Sequence, residues 1–156
     1  MTRIVPFVYP AAPHVRKHAP AGYANYGDFK PWLRDEFVFR CVSCLEREMW
    51  YPNRAASFSV DHVVPQKDDP SRICDYSNLV YPCTRCNSLK GRTRLIDPTA
   101  VTAGNHLLVE ADGRIRAPSD DGEFLVRLLH LNEDPALSQR KYRQKSRRLR
   151  RSYPIT

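Results

Sequence analysis

Cysteine placement limits what this chain can fold into more than any other feature. Of its five cysteines, four fall into two Cys-x-x-Cys pairs, Cys41 with Cys44 and Cys83 with Cys86, separated by 38 residues. A single pair would read as a redox dithiol, but two pairs in one short chain are the ligand set of a structural, tetrahedral Zn²⁺. That ion would close the intervening segment into a loop and add folding energy to a chain with a modest apolar core. The loop is longer than a simple zinc ribbon needs, so it houses something more. Cys74 is left over and reads as a small buried apolar residue.

Within the closed loop lies Asp61-His62-Val63-Val64-Pro65, and Asn87 follows the second pair directly. These residue types suit phosphodiester hydrolysis, which needs a base to activate water and a divalent cation to neutralise charge on the pentacoordinate phosphorus. His62 can be the base if one ring nitrogen is held by a carbonyl while the other faces water. Asp61 is a hard oxygen ligand for Mg²⁺ or Mn²⁺, and Asn87 can supply a neutral second ligand. Around them the pattern predicts local structure. Phe58 and Val60 alternate as a strand that delivers Asp61 and His62, and a helix follows Pro82 to about Lys90, with Gly91 as its C-terminal cap. On that helix Cys83, Cys86, Asn87 and Lys90 share one face.

Charge adds a second constraint. The formal net charge is +8, and residues 135–156 alone carry Arg140, Lys141, Arg143, Lys145, Arg147, Arg148, Arg150 and Arg151 with no acid. The excess charge therefore sits in the tail, the footprint of a protein that gains affinity for a polyanion through an appendage. No apolar run of membrane-spanning length occurs, and the N-terminus lacks the pattern of a secretory signal, so a soluble, cytoplasmic protein is expected.

The 156 residues suit one domain of ordinary size with extensions. Prolines at 6, 10, 13 and 20 make residues 1–27 an extended arm, in which Ile4-Val5 and Phe7-Val8-Tyr9 are apolar enough to pack on the domain or on a partner. Asp28 to Phe39 predicts a helix with Asp28 as N-cap, Pro31 in its first turn, and Phe29, Trp32, Leu33 and Phe37 as its apolar positions. Downstream, Ala111-Asp112-Gly113 between His106–Glu110 and Arg114–Arg116 predicts a hairpin. Ser119 caps a helix bearing Phe124, Leu125, Leu128, Leu129 and Leu131. A last, basic helix begins near Asp134-Pro135, with Leu137, Tyr142 and Leu149 as possible anchors.

Taken together, Cys41-x-x-Cys44, Asp61-His62-x-x-Pro65, Asn78-Leu79-Val80, Cys83-x-x-Cys86-Asn87 and Lys90-Gly91 resemble the HNH endonuclease superfamily, in its zinc-knuckle branch. The resemblance covers roughly residues 38–95. It implies an α+β fold: a small ββα-metal core stabilised by a four-cysteine zinc site, with flanking helices, a hairpin and a basic C-terminal helix or tail. It further implies that His62 is the general base, that Asp61 and Asn87 bind the catalytic Mg²⁺ or Mn²⁺, and that Asn78 holds the loop presenting His62. The third motif position is often His in the family and is Asn87 here. Lys90, Arg92 and the basic residues of the tail are candidate nucleic-acid contacts, and Arg85 and Arg94 lie nearby. The expected organisation is an arm (1–27), a nuclease domain (28–131, core 38–95) and a basic extension (132–156).

The flanks, Lys30-Pro31-Trp32-Leu33-Arg34, Asp112-Gly113 and Leu125 to Leu131, also resemble bacterial stand-alone HNH proteins. Many of those act in restriction or phage defence beside a partner that supplies target choice. The implied substrate is DNA. The competing readings are a non-catalytic zinc-dependent module that binds nucleic acid or protein, and a nuclease silent until a partner activates it.

Overall fold

The computed structural model describes residues 7–152, with side chains to residue 146. Ile4-Val5 and the side chains of Arg147, Arg148, Leu149, Arg150 and Arg151 lie outside the described residues. The chain forms two compact units, one spanning Pro10–Ala103 and one joining the segment that ends at Tyr9 to the segment that begins at Gly104. The mix of helix with short antiparallel strands is α+β.

In the first unit, residues 10–25 have almost no regular structure but are held by side chains. Arg16 donates to the carbonyls of Ser77 and Leu79 at 3.1 and 2.8 Å, and its guanidinium lies over the rings of Phe37 and Tyr76. The Lys17 amide donates to both carboxylate oxygens of the buried Glu36. The prolines prevent a helix here, and the polar side chains strap the extended chain onto the domain instead.

Helix α1, Lys30–Glu36, is shorter than the predicted Asp28–Phe39. A 3-10 turn, Tyr26–Phe29, precedes it, and its N-cap is Asn25 rather than Asp28. The helix stops because Val38 and Phe39 take left-handed backbone angles (φ 50° and 57°), which lets the Phe39 amide reach back to the Arg34 carbonyl at 2.8 Å. Phe29, Leu33 and Phe37 are buried as expected, whereas Trp32 is half-exposed.

The centre of this unit is a ββα arrangement. Strand β1, Asp61–His62, pairs antiparallel with β2, Leu79–Val80, in the register Asp61↔Val80 and His62↔Leu79. The strand expected through Phe58 and Val60 is reduced to a bridge between Phe58 and Cys83. The Ser59 amide still donates to the Pro82 carbonyl at 3.1 Å, but Pro82 has no N–H to return the bond, so the ladder is interrupted there. Helix α2, Thr84–Lys90, then starts with Cys83 as N-cap, its sulfur accepting from the Cys86 amide. It ends at Gly91, whose φ of +55° few other residues adopt easily.

The second unit contains the predicted hairpin, with β3, Leu108–Val109, and β4, Ile115–Arg116, joined through Gly113 at φ +93°. Helix α3, Asp120–Leu128, is capped by the Ser119 hydroxyl, which accepts from the Gly122 amide at 3.0 Å. Gly122 cannot carry a side chain, because a Cβ there would stand 2.0 Å from the His106 carbonyl oxygen. Helix α4, Ala136–Ser152, is the basic one. Ala136 and Arg140 are its buried residues; of the expected anchors, Leu137 is half-buried, Tyr142 is 64% exposed and does not anchor it, and the Leu149 side chain lies outside the described residues. Arg140 is buried and donates to the carbonyls of Gly113 and Leu131. Its alkyl stem gives α4 apolar packing while its guanidinium satisfies two backbone acceptors.

Candidate active site

The two knuckles close on each other. Cys41, Cys44, Cys83 and Cys86 are all buried, and their sulfurs lie within 4.8 Å of one another, with Cys44 and Cys83 3.8 Å apart. That separation is the edge of a sulfur tetrahedron around Zn²⁺ with bonds of about 2.3 Å, so the donor set fits the ion. Without a cation, crowded sulfurs cannot all ionise. Hydrogen bonding from Cys41, then from Cys44 and Cys86, pulls the Cys83 thiol far down, and contact with Cys41 and Cys83 pushes Cys44 well up. The cluster fixes Arg40-Cys41 against β2 as well, since the Val42 amide donates to the Tyr81 carbonyl at 3.0 Å. Beside it, Glu48 ties α1 to the chain after β2. It accepts both arms of Arg34 at 2.8 and 2.9 Å, together with the Tyr81 hydroxyl.

His62 is buried, with its ring edge-on to Tyr26 at 4.8 Å between centroids. Its Nε2 lies 2.9 Å from the Ile73 carbonyl oxygen. A carbonyl only accepts, so Nε2 carries a proton, and in the neutral ring the lone pair is then on Nδ1. The neighbour of Nδ1 is the Gln66 amide nitrogen, a long contact of 3.5 Å. Asn78 is buried and holds the turn after His62 from both sides: its Oδ1 accepts from the Val64 amide at 2.9 Å, and its Nδ2 donates to the carbonyls of Val64 and Arg72 at 3.2 and 3.3 Å.

Asn87 is positioned by a residue that sequence reading missed, Ser59, and Asp61 by one to which it gave another role, Lys90. The Asn87 amide nitrogen donates to the Ser59 hydroxyl at 2.9 Å, which leaves the amide oxygen as the end available to a cation. Asp61 Oδ2 meets the Lys90 ammonium at 2.7 Å, with side chains 13% and 2% exposed respectively. The pair is an ion contact without an aligned hydrogen bond on that oxygen. One hard carboxylate and one amide oxygen fit a Mg²⁺ or Mn²⁺ that keeps several other positions for water and phosphate.

Asp61, His62, Gln66, Lys67, Lys90 and Arg92 all face an open cleft of about 380 Å³. Lys90 departs from its expected role, because a buried ammonium paired with Asp61 is not offered to an outside phosphate. Arg92 does line the rim, and so does Lys67, which sequence reading passed over although it follows Pro65 closely. Cys74 is half-buried, its sulfur 3.5 Å from the Ala24 carbonyl oxygen. In the second unit Arg140 is committed to two carbonyls, so it too departs from the expected nucleic-acid contact. Lys141 and Lys145 remain exposed, and Arg143 is half-exposed.

Residues 41–93 match the family model of the HNH endonucleases, and that segment contains both cysteine pairs, β1, β2 and α2. The chain carries an HNH endonuclease domain. A curated relative is the Septu protein PtuB of Bacillus thuringiensis, 29% identical over 102 residues, with 60% of this chain and 37% of that protein covered. The chain thus spans well under half the length of that relative. Placed on the HNH domain, the motif residues occupy distinct positions: Asp61 and His62 on β1, Asn78 immediately before β2, and Asn87 on α2 one turn before Lys90. Ser59, Ile73, Tyr26 and Gln66 complete the surroundings of these side chains. Only Gln66, next to the motif's Pro65, was within reach of pattern reading.

Proposed function

We propose that the chain is a metal-dependent endonuclease that hydrolyses DNA phosphodiester bonds, acting in the cytoplasm as the nuclease component of a restriction or phage-defence system beside a partner protein. The observation that carries this reading is the placement of His62, which lines the cleft with Asp61 while its Nε2–H is committed to the Ile73 carbonyl, so that in the neutral ring Nδ1 holds the lone pair. A water placed between Nδ1 and a phosphodiester gives up its proton to Nδ1 as its oxygen attacks phosphorus. The bond to the 3′ oxygen then breaks, that oxygen takes up a proton, and the products are a 3′-hydroxyl and a 5′-phosphate. Asp61 and Asn87 would hold Mg²⁺ or Mn²⁺, which when bound supplies charge neutralisation at the phosphate. Asn78 keeps the His62 turn rigid, and the zinc cluster keeps α2 in place under Asn87.

Affinity for the backbone comes from Lys67 and Arg92 at the cleft and from Lys141, Arg143 and Lys145 on α4, with Arg147, Arg148, Arg150 and Arg151 continuing the basic run. Among the described residues no helix is long and apolar enough to cross a membrane. A defence role alongside a partner that supplies target choice is supported by the resemblance of the flanks, Lys30-Pro31-Trp32-Leu33-Arg34, Asp112-Gly113 and Leu125 to Leu131, to bacterial stand-alone HNH proteins.

The test is a supercoiled-plasmid assay with purified protein and its His62→Ala variant in Mg²⁺, Mn²⁺ or EDTA. Metal-dependent nicking that disappears in the variant is expected; nicking that persists in the variant removes His62 from the base role. Removing residues 141–156, which spares Arg140, is expected to flatten the salt dependence of DNA binding as fewer counterions are released. An unchanged slope would show that α4 does not touch DNA.

A further inference from the structure

Beyond the nuclease reading, the charge balance at Asp61 stands out. Among the described residues the cleft is lined by one carboxylate, Asp61 on β1, and an ammonium rooted in α2 already lies 2.7 Å from it, almost wholly shielded from water. Lys90 is fixed there by the last turn of the helix, immediately before the Gly91 cap. The other proposed metal ligand, Asn87, is neutral, and its nitrogen is spent on Ser59. Affinity for a hard divalent cation follows the number of uncompensated negative ligands. Here that number is near zero, because the lysine balances the aspartate in a region where water screens poorly.

We propose that Lys90 holds the divalent site in check, so that the ion is retained tightly only when a phosphodiester of the bound nucleic acid adds the missing negative charge. Metal and nucleic acid then bind cooperatively, and each raises the affinity for the other by the same factor. The functional consequence is a nuclease whose metal centre is completed by its substrate. This rests on the reading of Asp61 and Asn87 as the ligands of the catalytic ion.

The experiment measures Mn²⁺ binding by electron paramagnetic resonance on full-length, zinc-loaded His62→Ala protein, which does not consume DNA. Titrations are run with and without a short duplex, with binding to the duplex alone subtracted. In this protein the duplex is expected to tighten Mn²⁺ binding about tenfold or more. Adding Lys90→Met is expected to tighten Mn²⁺ binding about tenfold without DNA and to shrink the gain on adding the duplex. Lys90→Gln, which keeps a polar partner for Asp61, should shift binding in the same direction by less, and serves if the Met variant does not fold. Mn²⁺ affinity that ignores the duplex overturns the proposal, as does unchanged or weaker Mn²⁺ binding in folded Lys90 variants. Asp61→Asn separates the two levels of argument. If it abolishes Mn²⁺ binding while the Lys90 variants change nothing, the ligand assignment stands and the lysine inference fails; if Asp61→Asn leaves Mn²⁺ binding intact, the assignment fails and the inference with it.

Discussion

The four-sulfur cluster and the cleft at His62 sit on the same ββα element, yet they are built in opposite ways. At the cluster all donors are alike, all are buried, and each is named by the spacing of the sequence. Around the cleft His62, Asn87 and Asp61 differ from one another, and each is set by a different neighbour: Ile73 for His62, Ser59 for Asn87, Lys90 for Asp61. A zinc ion held by the cluster would contribute folding energy, so loss of a ligand there would be felt by the whole fold. Chemistry at the cleft depends on orientation and charge, which neighbours adjust without altering the fold. On the proposed function, stability and reactivity would be carried by separate residues a few positions apart on α2.

Perturbing the two centres separately sharpens this contrast. The largest effect is expected at the cluster: Cys83→Ser, or prolonged chelation, should unfold the Pro10–Ala103 unit, since a structural zinc contributes on the order of 10 kcal/mol. Near-ultraviolet circular dichroism with zinc analysis reads this out, and a cooperative native transition surviving in zinc-free protein would refute it. Next comes His62→Ala, expected to lower nicking by about 10³-fold or more while zinc stays bound. Zinc loss in that variant would show that the two centres are not separable.

A smaller effect is expected from Ser59→Ala, which frees the Asn87 amide to rotate. The metal concentration needed for half-maximal nicking should rise about tenfold, with the rate at saturating metal nearly restored. A fall in rate that added metal does not rescue would instead assign Ser59 to the fold. Smallest is Glu48→Gln, beside the cluster and remote from catalysis, which should cost about 1–2 kcal/mol of stability at neutral pH. Burial by itself raises the Glu48 carboxyl, but the hydrogen bonds from Arg34 and Tyr81 outweigh it and leave the group below its ordinary value. Its stabilisation is therefore present above the ordinary carboxylate range and lost as pH falls through the lowered value. Melting curves of wild type and variant should converge on acidification, and a constant gap would refute the linkage.

Much of the fold was legible because it depends on short-range rules. The Asp112-Gly113 hairpin, the Ser119 cap and the Gly91 stop each follow from local backbone preference, and the structure has all three. The end of α1 was not legible, since left-handed Val38 and Phe39 oppose local propensity and are held by contacts such as Phe39 to Arg34. The basic helix misled for a related reason. Its pattern offers Tyr142 as an anchor, but the acceptors it must satisfy, the carbonyls of Gly113 and Leu131, belong to distant residues and favour Arg140.

By itself the sequence determined which atoms are available to chemistry: four thiols at zinc spacing, one imidazole beside one carboxylate, and two amides, because composition and spacing along the chain are enough to specify ligand types. Tertiary structure alone decided their states. Which His62 nitrogen keeps its lone pair, which end of Asn87 is free, and that Lys90 spends its charge on Asp61 are set by contacts between residues 11, 28 and 29 positions apart. Protonation and charge balance depend on the local dielectric and on nearest neighbours in space, and neither is written in the order of the residues.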